Sequence, residues 1–203
     1  MRTLVTPTDA LSVYGPPQGH WTAQDWETLP DDGNRYEIID GVLYMSTSPS
    51  YFHQWILKQF VIRWGAKVED SGLGYVHFAP VGVLMPGCEP VQPDLVFIRA
   101  GRESIIHDRR IRGVPDLIAE ILSPGNRDYD EDIKKAAYER AGVPEYAVID
   151  PDQRRLKLFR LDAQRRYGDA LVFGADQTVT FQAAPSVPLR IAELFAGSPD
   201  TTP

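Results

Sequence analysis

Apolar positions along the chain switch between strand-like and helical spacing, which predicts short strands with helices inserted between them. Residues 36–44 form two apolar runs around Asp40-Gly41, a pair typical of a tight hairpin turn. After Ser48-Pro49-Ser50, apolar residues recur at helical spacing from Trp55 to Trp64. This part of the chain is therefore predicted to form a β-hairpin followed by a helix.

The rest of the chain continues this mixed pattern. Thr22 is expected to cap a short helix that ends near Leu29, and further helices are predicted over 128–141 and 191–195. The polar, arginine-rich stretch 99–114 predicts a loop. Strands are predicted over 75–79, 82–85, 94–98, 117–122, 146–149, 156–161, 170–173 and 179–182. The order of elements favours an α/β or α+β fold.

Length and composition agree with one domain of ordinary globular character. The 203 residues suggest a flexible N-terminal arm over 1–20, a single domain over 21–197 and a disordered tail over 198–203. The sequence has no apolar run long enough to span a membrane, and we expect no membrane partner. The single cysteine, Cys88, excludes an internal disulfide and a cysteine-based zinc site, so a reducing cytoplasm is the expected location.

The charge distribution bears on possible partners. A net charge of −7 argues against a strong nonspecific nucleic-acid binder. Residues 99–166 are nevertheless slightly basic, and they hold most of the candidate chemistry. Ordinary solvated surface remains an equally good explanation for this basic share.

Glu120 is the only acid in the otherwise apolar stretch 117–122, which predicts a central strand covered on both faces. Strand alternation places Ile118 and Leu122 on the same face as Glu120. An ionised carboxylate in such a place costs several kcal/mol unless a lysine, an arginine or a metal ion compensates it. A structural ion pair and a metal ligand therefore both remain open.

Asp94 precedes another apolar strand and is a second candidate acid beside Glu120. Alone, an acid after Pro93 is most simply a turn residue or a cap. Two acids on neighbouring strands are, however, a common way to hold Mg²⁺, which prefers hard oxygen ligands. Such an ion can polarise a phosphoryl oxygen and lower the pKa of an attacking water.

The predicted helix after Glu120 supplies a lysine. With Asp130 as zero and about 100° per residue, Lys134 falls near 40° on the more apolar face, together with Ile133, whereas Lys135 falls on the polar face. An inward lysine beside two carboxylates could orient a water and stabilise charge that develops on a phosphate. The alternative is an ion pair between Lys134 and Asp130, four residues apart, without a catalytic role.

Several short motifs together resemble one known family. In chain order they are Tyr36-Glu37-Ile38-Ile39-Asp40-Gly41, Ser48-Pro49 followed by His53, Gln92-Pro93-Asp94-Leu95, Pro115-Asp116-Leu117-Ile118-Ala119-Glu120-Ile121-Leu122-Ser123-Pro124, the series Asp130, Lys134 and Tyr138, then Gly142-Val143-Pro144-Glu145-Tyr146 and Ile149-Asp150-Pro151. Their order and spacing, from about residue 22 to 195, resemble the Uma-two family of restriction endonucleases, within the PD-(D/E)XK nuclease superfamily.

The resemblance implies a restriction-endonuclease-like core, a mixed sheet flanked by helices. It also implies Asp94 and Glu120 as ligands of Mg²⁺ or Mn²⁺, with Glu37 as an auxiliary carboxylate. The superfamily lysine, expected two residues after the second acid, is replaced here by Leu122. In this family the lysine is expected on the following helix, at Lys134.

The leading hypothesis is a metal-dependent endonuclease that hydrolyses DNA phosphodiester bonds. Arg109, Arg110 and Arg112 could contact phosphate, or they could simply be a solvated loop. His53 is interpreted as a capping or supporting group more readily than as a base. The alternative function is a catalytically inactive module that keeps the nuclease fold and binds nucleic acid or protein. A homodimer is considered because exposed strands are expected near the C-terminus.

Overall fold

The structure, a computed structural model, describes residues 6–7 and 13–199, with side chains from Val13 onward. Parts of the predicted arm, 1–5 and 8–12, and of the predicted tail, 200–203, lie outside the described residues. Within the described part of that arm, the backbone N–H groups of Gly19 and Trp21 both donate to the carbonyl of Gly41 in the hairpin turn. No described helix has the length and apolar character needed to cross a membrane.

The helical segments are short, and two of them begin or continue as wider π-helical turns. They are α1 (Ala23–Trp26), α2 (Tyr51–Phe60), which continues through π-helical Val61–Gly65 into α3 (Ala66–Asp70), a 3₁₀ turn (Glu103–Ile105), π-helical Tyr129–Lys134, which continues into α4 (Lys135–Ala141), and α5 (Ala192–Phe195). As expected, Thr22 caps α1, because its side chain accepts the N–H of Asp25.

The strands assemble into two mixed sheets and one small pair. The strands are β1 (Thr6–Pro7), β2 (Arg35–Ile39), β3 (Val42–Ser46), β4 (Gly74–Phe78), β5 (Gly82–Met85), β6 (Cys88–Val91), β7 (Leu95–Arg99), β8 (Ile106–His107), β9 (Arg110–Arg112), β10 (Leu117–Ile121), β11 (Glu145–Asp150), β12 (Arg155–Arg160), β13 (Leu171–Phe173), β14 (Thr178–Val179) and β15 (Leu189–Arg190).

The first sheet has the order β1-β3-β2-β6-β5-β9-β8, and the second has the order β13-β12-β11-β10-β7-β4. Each contains one parallel pair, β5 with β9 and β10 with β11, among antiparallel neighbours. The predicted mixed α+β class is therefore confirmed, with two mixed sheets where one was expected.

The central strand β10 lies between β7 and β11, and all five of its residues are buried. Leu117, Ala119 and Ile121 pack into a core with α2 and α3. Ile118 packs into the opposite core, which contains α4 and the inner residues of the first sheet. Strand alternation therefore turns Glu120 toward α4 and the first sheet, the side on which all the site residues meet.

Four details of the sequence prediction are wrong. The stretch 99–114 contains β8 and β9 besides loop, and the predicted strand 179–182 is reduced to Thr178–Val179. Strand β6 was not predicted, because Pro90 in its interior normally argues against a strand. Ile133, expected on the inward helix face, is exposed. It lies in the π-helical segment, whose turns are wider than α-helical turns, so residues there point in other directions than an α-helix predicts.

Candidate active site

Glu37, Asp94, Glu120 and Lys134 converge on one pocket between the two sheets and the helix that follows β10. Glu37 comes from β2, Asp94 directly precedes β7, and Glu120 lies in β10. Lys134 is the last residue of the π-helical segment that leads into α4. All four residues are buried, with between 2% and 3% of their surface exposed. The structure therefore brings together the four residues that the sequence singled out.

Lys134 contacts three carboxylates in the pocket. Its Nζ lies 2.9 Å from Glu120 Oε1, 3.1 Å from Glu37 Oε1 and 3.8 Å from Asp130 Oδ1. The ion pair with Asp130 that the sequence allowed is thus the longest of three. Burial opposes the charged form, but the carboxylates of Glu120, Glu37 and Asp130 outweigh it and raise the pKa of Lys134 above its usual range. Lys134 is an ammonium ion at neutral pH.

Glu120 is held from three directions. Its Oε1 accepts hydrogen bonds from Lys134 Nζ and, at 2.8 Å, from the hydroxyl of Tyr138, and its Oε2 accepts the backbone N–H of Asp94 at 3.3 Å. Burial and the nearby carboxylates of Asp94 and Glu37 raise the pKa of Glu120 to about 7, although Lys134 opposes this shift. Glu120 can therefore hold or lose a proton near neutral pH.

The surroundings of Asp94 shift its pKa in the opposite direction. Its Oδ2 lies 2.9 Å from His53 Nε2 and accepts the backbone N–H of Ile121, and its Oδ1 accepts Arg35 Nη1 at 3.0 Å. Burial favours the neutral form, but His53 and Arg35 outweigh it and lower the pKa of Asp94 below its usual range. Asp94 is therefore a permanent carboxylate.

Glu37 and Asp130 complete the acidic side of the pocket. Glu37 Oε1 accepts the backbone N–H of Gln92 at 2.7 Å, and its Oε2 accepts the hydroxyl of Tyr129 at 3.1 Å. Burial and the neighbouring carboxylates, opposed by Lys134, raise the pKa of Asp130 well above its usual range. Several carboxylates buried close together repel one another when they are ionised. A divalent cation bound between them would reduce this repulsion.

The donor atoms fit a hard cation such as Mg²⁺ or Mn²⁺. Each carboxylate oxygen can accept two hydrogen bonds, and in the contacts given above Asp94 Oδ1 and Glu120 Oε2 each accept one. Within residues 6–7 and 13–199, no three His, Cys, Asp or Glu side chains form a site for an ion by themselves. An ion held by these two acids would complete its shell with water or substrate oxygens, as Mg²⁺ usually does.

Sequence reasoning missed several supporting groups. Arg35 and Tyr129 were not singled out, and from the sequence Tyr138 is most simply a core aromatic. His53 combines two roles, because its backbone N–H is capped by Ser50 Oγ while its ring contacts Asp94. Its Nδ1 is buried and has no hydrogen-bond partner among the residues that the structure describes. Only the spacing of Asp130, Lys134 and Tyr138 at intervals of four hinted at this network.

The arginines proposed to contact phosphate lie elsewhere. Arg109 and Arg110 line a different cavity, together with His77 and His107. Arg110 is largely buried, and its guanidinium pairs with Glu27 and lies over the ring of Trp26. Arg109 and Arg112 are exposed.

Comparisons with known proteins agree with this architecture. The profile of the Uma2 family, described as "Putative restriction endonuclease", matches residues 10–192. A crystal structure of a "putative nuclease" from Anabaena variabilis is similar, with a TM-score of 0.72 and 20% sequence identity over 86% of this chain and 97% of that chain. The TM-score shows a common fold. A search among curated proteins gave no match. Because the profile match covers nearly the whole chain, the resemblance noted in the sequence is confirmed, and the chain belongs to the Uma2 family.

Proposed function

We propose that this protein hydrolyses phosphodiester bonds of DNA with the help of Mg²⁺ or Mn²⁺. The observation that carries the proposal is the convergence of Asp94, Glu120 and Glu37 around the buried ammonium of Lys134. Membership of a restriction endonuclease family supports a nucleic acid as substrate. A purely structural ion-pair cluster would not require four acids, because each additional buried carboxylate adds a desolvation cost.

Asp94 and Glu120 would hold the metal ion through the oxygens that accept only one hydrogen bond. When bound, the ion would polarise a phosphoryl oxygen and lower the pKa of the attacking water. Arg35 and His53 keep Asp94 ionised and fix its orientation from two sides. The hydroxyl of Tyr138 and the ammonium of Lys134 fix Glu120 in the same way.

Lys134 contributes as a positive charge and a hydrogen-bond donor. Its raised pKa means that it does not accept a proton at neutral pH, so it cannot be the general base. An ammonium already fixed by Glu120 and Glu37 can orient a water and stabilise the negative charge that develops on the phosphate. Glu37 supports the site by holding Lys134 from the side of the first sheet.

Cleavage of plasmid DNA in the presence of Mn²⁺ tests the proposal. We expect the wild-type protein and Lys135→Met to cleave, and Asp94→Asn, Glu120→Gln and Lys134→Met to be at least about a hundredfold slower. Lys135 is the matched control, since it is adjacent in sequence but contacts the ring of Phe159 outside the pocket. Equal cleavage by all variants would refute the proposed site. A folded, inactive wild type that still binds nucleic acid would instead indicate a binding module.

We further propose a cytoplasmic location and a homodimer. The location is supported by a single, buried, free cysteine, Cys88. The dimer is supported by Leu171 and Val172, which are about half exposed on the edge strand β13. Light scattering on the purified protein would decide between a monomer and a dimer.

A further inference from the structure

A second cavity adjoins the carboxylate pocket and shares wall residues with it. The carboxylate pocket has a volume of about 30 Å³, and the second cavity has a volume of about 240 Å³. His53 and Ser123 line both. Because one water needs about 10–15 Å³ of such volume, the smaller pocket accepts an ion, a water or a phosphate oxygen, but not a nucleoside. A nucleoside attached to a phosphate in that pocket must extend outside it.

The walls of the second cavity combine apolar and polar side chains. They come from the N-terminal turn of α2, the loop that follows β10, and the turn that follows β11. The apolar wall residues are Phe52, Leu122, Pro124 and Pro151, and the polar ones are Ser50, His53, Ser123, Arg127 and Asp152. The ring of Phe52 and the two proline rings can contact the face of a nucleobase, and the polar side chains can contact its polar edge.

The charges in the cavity favour a neutral group over a phosphate. Arg127 Nη1 lies 3.1 Å from Asp150 Oδ2 and 3.6 Å from Glu131 Oε1, and the same two carboxylates also pair with Arg155 and Lys157. Asp152, exposed in the cavity wall, adds a third negative charge, so these charges balance. The cavity therefore offers no net positive charge to attract a phosphate. An uncharged base does not need one.

Resting on the proposed function, we propose that this cavity binds one unpaired nucleobase of the substrate strand, next to the phosphate in the carboxylate pocket. A base that is paired and stacked in a duplex cannot enter a side cavity unless it is first extruded from the helix. The substrate class is therefore single-stranded or locally unpaired nucleic acid. His53 lies in the wall between the two cavities, and its unpartnered Nδ1 faces no hydrogen-bonding group of the described chain.

The test measures binding in EDTA, so that cleavage is not required. The probes are fluorescein-labelled oligothymidylate, the same strand in a duplex, and the same sugar-phosphate chain built with abasic residues. We expect the single strand to bind about tenfold more tightly than the duplex and than the abasic strand, since base stacking on protein side chains contributes at this level. Oligouridylate distinguishes DNA from RNA, and preference for either unpaired strand over its duplex supports the proposal.

Asp152→Trp, which fills the cavity from its exposed rim, should abolish this preference, whereas Asp169→Trp, at an exposed position outside the cavity, should retain it. Equal binding of single strand, duplex and abasic strand by the wild type would overturn the proposal, as would an Asp152→Trp variant that binds like the wild type. Failure to cleave both plasmid DNA and single-stranded DNA with Mn²⁺ would count against the proposed function alone, because these binding measurements do not depend on cleavage.

Discussion

Lys134 Nζ and Glu120 Oε1 lie 2.9 Å apart and form a buried ion pair. This pair joins the helix that follows β10 to the only acid of that strand. Both residues have 2% of their surface exposed. Buried charges are stable only when they are paired, and removal of Lys134 leaves the carboxylate of Glu120 without its cation. The same contact therefore links the stability of the fold to the chemistry proposed for the site.

Lys134→Met is expected to destabilise the protein and to abolish cleavage. Breaking a buried ion pair typically costs about 3–5 kcal/mol, reduced here to the extent that Glu120 takes up a proton instead. Lys135→Met should cost less than about 1 kcal/mol, since Lys135 is only half-buried. Urea unfolding at neutral pH measures both effects. A smaller loss for Lys134→Met than for Lys135→Met would contradict the central role of this ammonium.

Glu120→Gln combined with Lys134→Met should recover part of the lost stability without recovering cleavage. The double variant removes both charges, so neither remains buried alone. A double-mutant cycle should give a coupling of about 1–3 kcal/mol between the two positions. Additive losses would indicate that the two groups do not interact in solution.

The metal-free protein is expected to lose stability as the pH rises from 5 to 8. The pKa of Glu120 is raised from 4.5 to about 7, so the folded protein binds this proton more tightly than the unfolded chain does. This contribution is fully present below about pH 4.5 and is lost as the pH rises through about 7. The pKa of Asp94 is lowered, so its own contribution changes only below about pH 4 and does not interfere. Thermal unfolding in EDTA across this range measures the effect.

Glu120→Gln is the control for this pH dependence, because a neutral amide cannot take part in it. The variant should show a flatter curve between pH 5 and 8, and Mn²⁺ should stabilise the wild type most at the upper end of the range. Parallel curves for the two proteins would assign the pH dependence to other groups.

How far the sequence predicts the site depends on whether a residue stands out within its own segment. Glu120 stands out because an acid in an apolar strand needs a compensating partner. Lys134 stands out because its position around the helix places it on the apolar face, whereas Lys135 falls on the polar face. Arg35 and Tyr129 do not, since nothing local distinguishes them from surface residues. Their roles follow from the packing of β2 against the loop before β7 and the helix after β10, which brings together groups more than fifty residues apart.

The fold shows the same division between local and long-range information. The hairpin of β2 and β3 was predictable because Asp40, at φ 51°, and Gly41, at φ 74°, adopt the left-handed conformation that this turn requires. Strands β8 and β9 were not predictable, because two or three residues carry too little periodicity. Strand β9 pairs with β5, and β8 pairs with β9, and local patterning does not reveal these neighbours.

His53→Ala is expected to weaken Mn²⁺ binding by about 10–100-fold while leaving the protein folded. The imidazole holds Asp94 Oδ2 at 2.9 Å, and loss of a group that orients a metal ligand typically has this effect. Calorimetric titration with Mn²⁺ measures the affinity, and circular dichroism checks the fold. His77→Ala is the matched control, since His77 lies on β4 and lines the other cavity. Equal Mn²⁺ affinity in both variants would show that His53 has no part in positioning Asp94.

Arg109 and Arg112 are expected to act differently from Arg110 in binding DNA. The two exposed arginines can reach phosphates, whereas Arg110 is already paired with Glu27 and packed on Trp26. Since each phosphate contact contributes about 0.9 to the slope of log affinity against log salt, Arg109→Ala with Arg112→Ala should reduce this slope by nearly 2. Arg110→Ala should lower thermal stability and leave the slope unchanged. The slopes are measured by fluorescence anisotropy with labelled DNA in EDTA over a range of NaCl concentrations. An unchanged slope in the double variant would assign the two arginines to ordinary solvated surface.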